Sequence, residues 1–224
     1  SVPAISGLKY RRWDGIPGTS VEQLLNHENY VGPADIDQIY TNLFESPTDV
    51  CNRCGTEMEG YFVPTESGLH VFRISGDDNC HLWIGFDMVE AVQSGPIADV
   101  PGWTAVRQWN KYPSQESEPI DLQAGSSYFI QAIANEGGGG DHLAVGLTTP
   151  SGIIFNPIPV GLFLRLPQIP RWRTPPVWAT RQMLQFHGDA SAGQDQLGTV
   201  AVAPAVPGQY YVIVMGGSSG YLEL

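Results

Sequence analysis

Short runs of alternating apolar and polar residues dominate the middle of the chain. Residues 60–63, 69–75, 81–86, 127–134 and 143–148 each show the two-residue period that sends one row of side chains to a core. Turn residues separate them, and strands of that length and spacing predict an antiparallel β-sandwich or barrel. Helical patterning is confined to one place, where Ser20 and Gln23 form an S-x-x-Q capping box ahead of Val21, Leu24 and Leu25. This predicts a single short helix near residues 21–27. The polar stretch 87–118 carries Trp103, Trp109 and Tyr112 and is too long for a simple hairpin loop, so it is expected to contribute to a site.

Beyond residue 164 the pattern changes. The segment LPQIPRWRTPPVW favours extended polyproline geometry and reads as a semi-rigid connector. Further alternations at 179–186, 197–203, 209–215 and 221–224 predict strands, but too few for an independent core. The expected organisation is therefore a sandwich over 1–164, a connector over 165–178 and a small β appendage over 179–224. The appendage is expected to bury Met183, Leu184, Phe186, Tyr211, Ile213 and Met215 against the sandwich or a neighbouring chain.

Composition sharpens this picture. With 42% hydrophobic and 15% charged residues the chain can build a sizeable core, which excludes wholesale disorder. The 26 glycines and 18 prolines favour turns over long helices. A net charge of -12, with Lys9 and Lys111 the only lysines, leaves no basic face for phosphate neutralisation and argues against a nucleic-acid partner. No apolar run approaches the roughly 20 residues of a membrane-spanning helix, so membrane insertion is not expected. Ser1 opens no signal-peptide pattern, as expected of a mature fragment or processed product.

Candidate catalytic motifs fail on context. Gly216–Gly220 matches G-x-S-x-G, but the helix, acid and histidine that must follow a nucleophile elbow have no room in the four residues after it. Asp189, Ser191 and Asp195 begin like a calcium loop, yet Val200 stands where a bidentate glutamate is required. No phosphate or dinucleotide fingerprint occurs, and no enzymatic activity is expected. The cysteines Cys51, Cys54 and Cys80 allow one disulfide and leave one thiol, or a zinc site with His81. Adjacent Cys80 and His81 would point to opposite faces of a strand, and a single C-x-x-C is weak support for zinc. A bridge from Cys80 to Cys51 or Cys54 is the expectation, because the segment before Gly60 must return across the sheet.

Two loops carry a different chemistry. Asp77 and Asp78 lie adjacent in Ser75-Gly76-Asp77-Asp78-Asn79 between two strands, where mutual repulsion disfavours two anions and a cation would relieve it. The stretch from Asn135 to Asp141 has acids toward its ends and four glycines that expose backbone carbonyls. Carboxylate with carbonyl oxygen is a hard donor set that suits calcium better than zinc or copper. The same residues could also serve as turn caps and bulge glycines.

At these residues the sequence resembles the protective-antigen N-terminal-like domain. The resemblance is carried in order by Gly60-Tyr61-Phe62, Ser75 to Asn79 with Leu82-Trp83, Val100 to Trp103, Lys111 to Gln115, and Glu136 to Asp141 with Leu143 to Gly146. It spans roughly residues 8–164 and implies a β-sandwich. It also implies that Asp77 and Asp78, joined by a cis peptide, hold Ca2+ with Glu136 and the carbonyls of Gly138 and Gly140. Glycan hydroxyls would complete the coordination, and loop aromatics, Trp109 or Tyr112, would stack on the sugar alongside Asp77 and Asp78. Two positions depart from the family pattern: Glu136 replaces a neutral amide, and Leu147 replaces a tryptophan. The functional expectation is an extracellular, calcium-dependent, lectin-like adhesion module. The alternative is a structural subunit of an extracellular filament, joined to identical or related chains by β-augmentation through its C-terminal strands. An accessory domain of a glycosidase is a third reading.

Overall fold

The computed structural model describes residues 6–165. Eleven strands form two antiparallel sheets: β1 Leu8–Asp14, β2 Ile36–Tyr40, β3 Cys54–Phe62, β4 Gly68–Asp77, β5 Asn79–Gly85, β6 Ala98–Val100, β7 Ile120–Leu122, β8 Tyr128–Glu136, β9 His142–Thr148, β10 Ile154–Phe155 and β11 Leu164–Arg165. One sheet has the order β2-β1-β3-β8-β5-β6 with β11 also on β3, and the other has the order β10-β9-β4-β7. The fold is thus an all-β sandwich, one of the two architectures the alternation predicts and the one the resemblance implies. The connector from 166 onward and the appendage, with Met183, Leu184, Phe186, Tyr211, Ile213 and Met215, lie outside the described residues.

The two-residue period explains the core. Along β8, Tyr128, Ile130, Ala132 and Ala134 face the second sheet and share one core with Met58, Phe62 and Leu82 of their own sheet and Phe72, Ile74, Val145 and Leu147 of the other. The opposite row of β8 is buried too, so the strand reads as one apolar run with embedded Gln131 and Asn135. Leu147, where the family pattern has tryptophan, is fully buried in this core.

Short helices cover parts of the larger sheet. The predicted capping box is present at α1, Val21–Leu25, where Ser20 caps Gln23 and Gln23 returns the bond to the Ser20 amide. Val21 and Leu24 are buried, and Leu24 packs against Gly55, where any side chain would collide with it. Three helices were not predicted: α2 Glu28–Val31, α3 Met88–Ser94 and α4 Val160–Phe163. The predicted connection 87–118 is therefore not one long loop, because Asp87 caps α3 through Glu90 and β6 pairs with β5.

The cysteine pairing differs from expectation. Cys51 is bonded to Cys54, with Cα atoms 6.2 Å apart, and Cys80 is free and buried. The reason is strand order. Cys54 and Cys80 sit on β3 and β5, which flank β8 on opposite sides, opposite Glu136 and Ala134 respectively. Two strand spacings and a two-residue offset along β8 separate them by about 11–12 Å, beyond the roughly 7 Å a disulfide tolerates. The bonded pair also leaves no Cys3His zinc set. Burial pushes the Cys80 thiol well above its usual range. We expect one thiol per chain to react under denaturing, non-reducing conditions and none in the native protein. Mass spectrometry after alkylation checks this, and three reactive thiols would contradict the pairing.

Candidate functional site

Glu136 occupies the last position of β8 and continues the row Tyr128, Ile130, Ala132, Ala134 that points between the sheets. A carboxylate at a core-facing position is costly unless it is paired or holds a cation. Here the residue is only 2% exposed, and neither carboxylate oxygen accepts a well-formed hydrogen bond. The Gly138 amide lies near enough to favour the anion slightly without closing such a bond.

Asp77 ends β4 and Asp78 is the crossover residue to β5, so one dipeptide links the two sheets beside the end of β8. The Asp77–Asp78 peptide is cis, as the resemblance implies. One carboxylate oxygen from each of Asp77, Asp78 and Glu136 lies within 4.8 Å of the others. Desolvation first, and then the charges of Asp78 and Asp77, raise the Glu136 carboxyl to about 7. Desolvation and Asp78 raise Asp77 to about 6, with Lys111 opposing the shift. Three oxygen donors with two proton affinities pushed upward form an arrangement that a hard divalent cation would neutralise, and the donor set fits calcium.

The walls of this cluster come from three segments. Asn79 accepts from the Val21 amide (2.8 Å) and Asn135 donates to the Ser20 carbonyl (3.0 Å), which docks the start of α1 beside Asp78 and Glu136. Gly137 then fits beneath Thr19 and donates its amide to Asp78 Oδ2 at 3.1 Å. On another side, Asp141 is committed to structure: its Oδ1 accepts from the amides of Val50 (2.5 Å) and Cys51 (2.9 Å). On a third, the Thr104 amide donates to the Gly76 carbonyl (2.8 Å), next to Asp77 in sequence, and the Lys111 ammonium, seated on the Trp103 ring, acts on the Asp77 carboxyl.

Of the predicted site residues, Asp77, Asp78 and Glu136 converge. Gly138 and Gly140 lie in the exposed loop just after Glu136, and Gly140 adjoins Asp77. Trp109 is half-buried, and Tyr112 is half-buried against the core with its amide held by Gln115 Oε1 at 2.9 Å. The exposed aromatic of this segment is Trp103, 53% exposed, with the Lys111 ammonium 3.3 Å from its ring centroid and bonded to its carbonyl. Sequence reading included Trp103 among loop aromatics but not Lys111 as its partner. The lone lysine eight positions on was the available signal.

Comparison with known proteins returns the same sandwich fold. The GLEYA domain model matches residues 54–149, which include Asp77, Asp78 and Glu136. A segment of this chain is 29% identical over 98 residues to the mouse (Mus musculus) enzyme N-acetyl-beta-glucosaminyl-glycoprotein 4-beta-N-acetylgalactosaminyltransferase 1, covering 41% of this chain and 9% of that one. The chain thus spans less than a tenth of that relative. Among solved structures, the A domain of Epithelial Adhesin 9 from Candida glabrata, in complex with Galβ1-4GlcNAc, aligns with a TM-score of 0.53 at 16% identity. That alignment covers 74% of this chain and 92% of the adhesin domain. The PA14 sugar-binding domain of an RTX adhesin aligns with a TM-score of 0.54 at 13% identity, covering 73% of this chain and 99% of that one. The described residues share the sandwich fold of these domains.

Proposed function

We propose that residues 1–164 form a calcium-dependent, lectin-like module that binds glycans outside the cell and catalyses no reaction. The observation that carries this reading is the buried Glu136 carboxylate, without a hydrogen-bond donor, aimed at Asp77 and Asp78. The GLEYA match and the glycan-bound adhesin of the same fold support the substrate class. Asp77, Asp78 and Glu136 would hold the cation by side chain, with Gly138 and Gly140 offering backbone carbonyls. Bound calcium would supply open coordination positions for vicinal hydroxyls of a sugar. The chain's own part is to fix the anions. Asn79 and Asn135 pin the neighbouring segment, and Asp141 pins the loop opposite. Aromatic contact to the sugar is proposed for the 103–112 segment, from Trp103, Trp109 or Tyr112.

Calorimetric titration with calcium, followed by a glycan array with and without chelator, tests the reading. We expect one calcium per chain and chelator-sensitive glycan binding. Absence of calcium binding, or glycan signals indifferent to chelator, would overturn it.

A further inference from the structure

The side chain of Lys111, one of only two lysines in the chain, is committed to Trp103. Its ammonium stands 3.3 Å from the Trp103 ring centroid, donates to the Trp103 carbonyl at 2.6 Å and lies 5.3 Å from the Tyr112 ring centroid. One contact fixes the ring and the other the backbone that carries it. Trp103 nevertheless remains 53% exposed, so a ring held by its lysine still offers apolar surface to a ligand.

The anchoring continues inward. Gln115, fully buried, accepts from the Lys111 amide at 2.8 Å and donates from Nε2 to the carbonyls of Ile74 (2.8 Å) and Gln108 (2.7 Å). With Thr104 bonded to Gly76, both ends of the segment 103–111 are tied to β4 just ahead of Asp77. The Lys111 charge reaches that carboxyl, opposing the rise that burial and Asp78 give it. A fixed cation this close to the acids works against a second cation bound among them, so calcium binding alone does not account for Lys111. Holding Trp103 does.

We infer that Lys111 is a positioning residue for glycan binding: its ammonium holds the Trp103 ring for stacking on a saccharide bound at the acidic cluster, while weakening the binding of calcium there. The inference rests on the carbohydrate-binding reading above and selects Trp103 among its three aromatics, since Trp109 and Tyr112 are half-buried. A ring oriented before the ligand arrives loses less freedom on binding, which leaves more of the stacking as affinity.

The test measures calcium affinity by calorimetry without sugar, and glycan affinity from concentration series on an array of neutral and acidic saccharides at saturating calcium. The proteins are wild type, Lys111→Met, Lys111→Arg, Trp103→Ala and the double variant Trp103→Ala/Lys111→Met. Lys111→Met keeps an apolar stem without the charge and is expected to lower glycan affinity about three- to tenfold. The same variant should bind calcium about threefold more tightly at low ionic strength, a gain that fades as salt is raised. A general loosening of the loop would lower both affinities, so the opposite signs identify positioning. Lys111→Arg keeps a cation over the ring and should bring both affinities back toward wild type. In the Trp103→Ala background, Lys111→Met should cause no further loss of glycan affinity, because no ring is left to hold. Unchanged glycan affinity in Lys111→Met, with wild type binding glycans, would overturn the inference and leave the carbohydrate reading intact. A full further loss in the double variant would make Lys111 a direct sugar contact, and a fall of both affinities would make it a support of the loop; either overturns the inference. If wild type binds no saccharide at saturating calcium, the carbohydrate reading falls and the inference with it.

Discussion

Replacing Glu136 with glutamine is expected to make the metal-free protein more stable at pH 8 while abolishing the proposed calcium binding. The ionised Glu136 carboxylate is buried beside two other acids, and its pKa is raised from 4.5 to about 7, so the folded state holds a proton that the unfolded state releases. Stability therefore declines as pH rises through this interval, and the full cost of the charge is present above about pH 7. Glutamine removes that cost, about 3 kcal/mol from the size of the shift and about 2 kcal/mol once solvent screening at the sheet end is allowed for, or about 4–8 °C in Tm for a chain of this size. Below pH 4.5, where the glutamate is protonated in both states, the two proteins should melt together. Thermal denaturation in chelator across pH 4–8 checks this. A constant Tm difference at every pH would show that Glu136 does not titrate as described. Calcium uptake near neutral pH should also release protons from Asp77 and Glu136, measurable as a dependence of the binding enthalpy on buffer.

Asp78→Ala is expected to lower calcium affinity at least about 100-fold, since loss of a direct carboxylate exceeds the effect of outer-shell changes. It should not bring the stability gain of Glu136→Gln. Asp78 Oδ2 accepts from the Gly137 amide at 3.1 Å, and its removal strands that donor, offsetting the relief of repulsion. Calorimetry and melting curves on both variants separate the two acids. Wild-type calcium affinity in Asp78→Ala would remove the residue from the ligand set.

How far the sequence reveals this fold depends on where polar residues are satisfied. Strands β4, β5, β8 and β9 were legible because their inward rows are plainly apolar. β1 was not, because Arg11 and Arg12 interrupt its alternation, nor was the first half of β3, where Glu57 and Glu59 are buried. The structure resolves both at once: Arg11 bonds Glu57 and reaches Glu59 at 2.7 Å, and Tyr30 donates to Glu57 at 2.5 Å. Charges cancelled across strands look like a loop when read along one strand. α3 was missed although Asp87 and Glu90 give a start signal, because the following turn, Met88 to Ser94, is short and its buried face is only Ala91 and Val92.

The site shows the same division. Asp77 and Asp78 were visible as adjacent acids at a strand crossover. Glu136 was visible as an acid but not as a strand residue, since nothing local distinguishes the end of β8 from the glycine loop after it. Asp49 and Asn52 were invisible, because they reach the cluster only through hydrogen bonds to Asp141 and Gly139, about ninety residues away.

Both ends of the described fold rest on the same strand. β1 pairs with β3 from Lys9 opposite Glu59, and β11 pairs with it through Arg165 opposite Tyr61, on the side away from β8. The chain thus enters and leaves within about two rungs, roughly 7 Å, of one point, while Glu136 lies opposite Cys54, about 20 Å farther along β3. A unit with that layout can be spliced into a surface loop of a larger protein without spreading the host's ends. Tension applied through residues 9 and 165 would run between neighbouring rungs of β3 and leave the acid-bearing tip slack, facing outward.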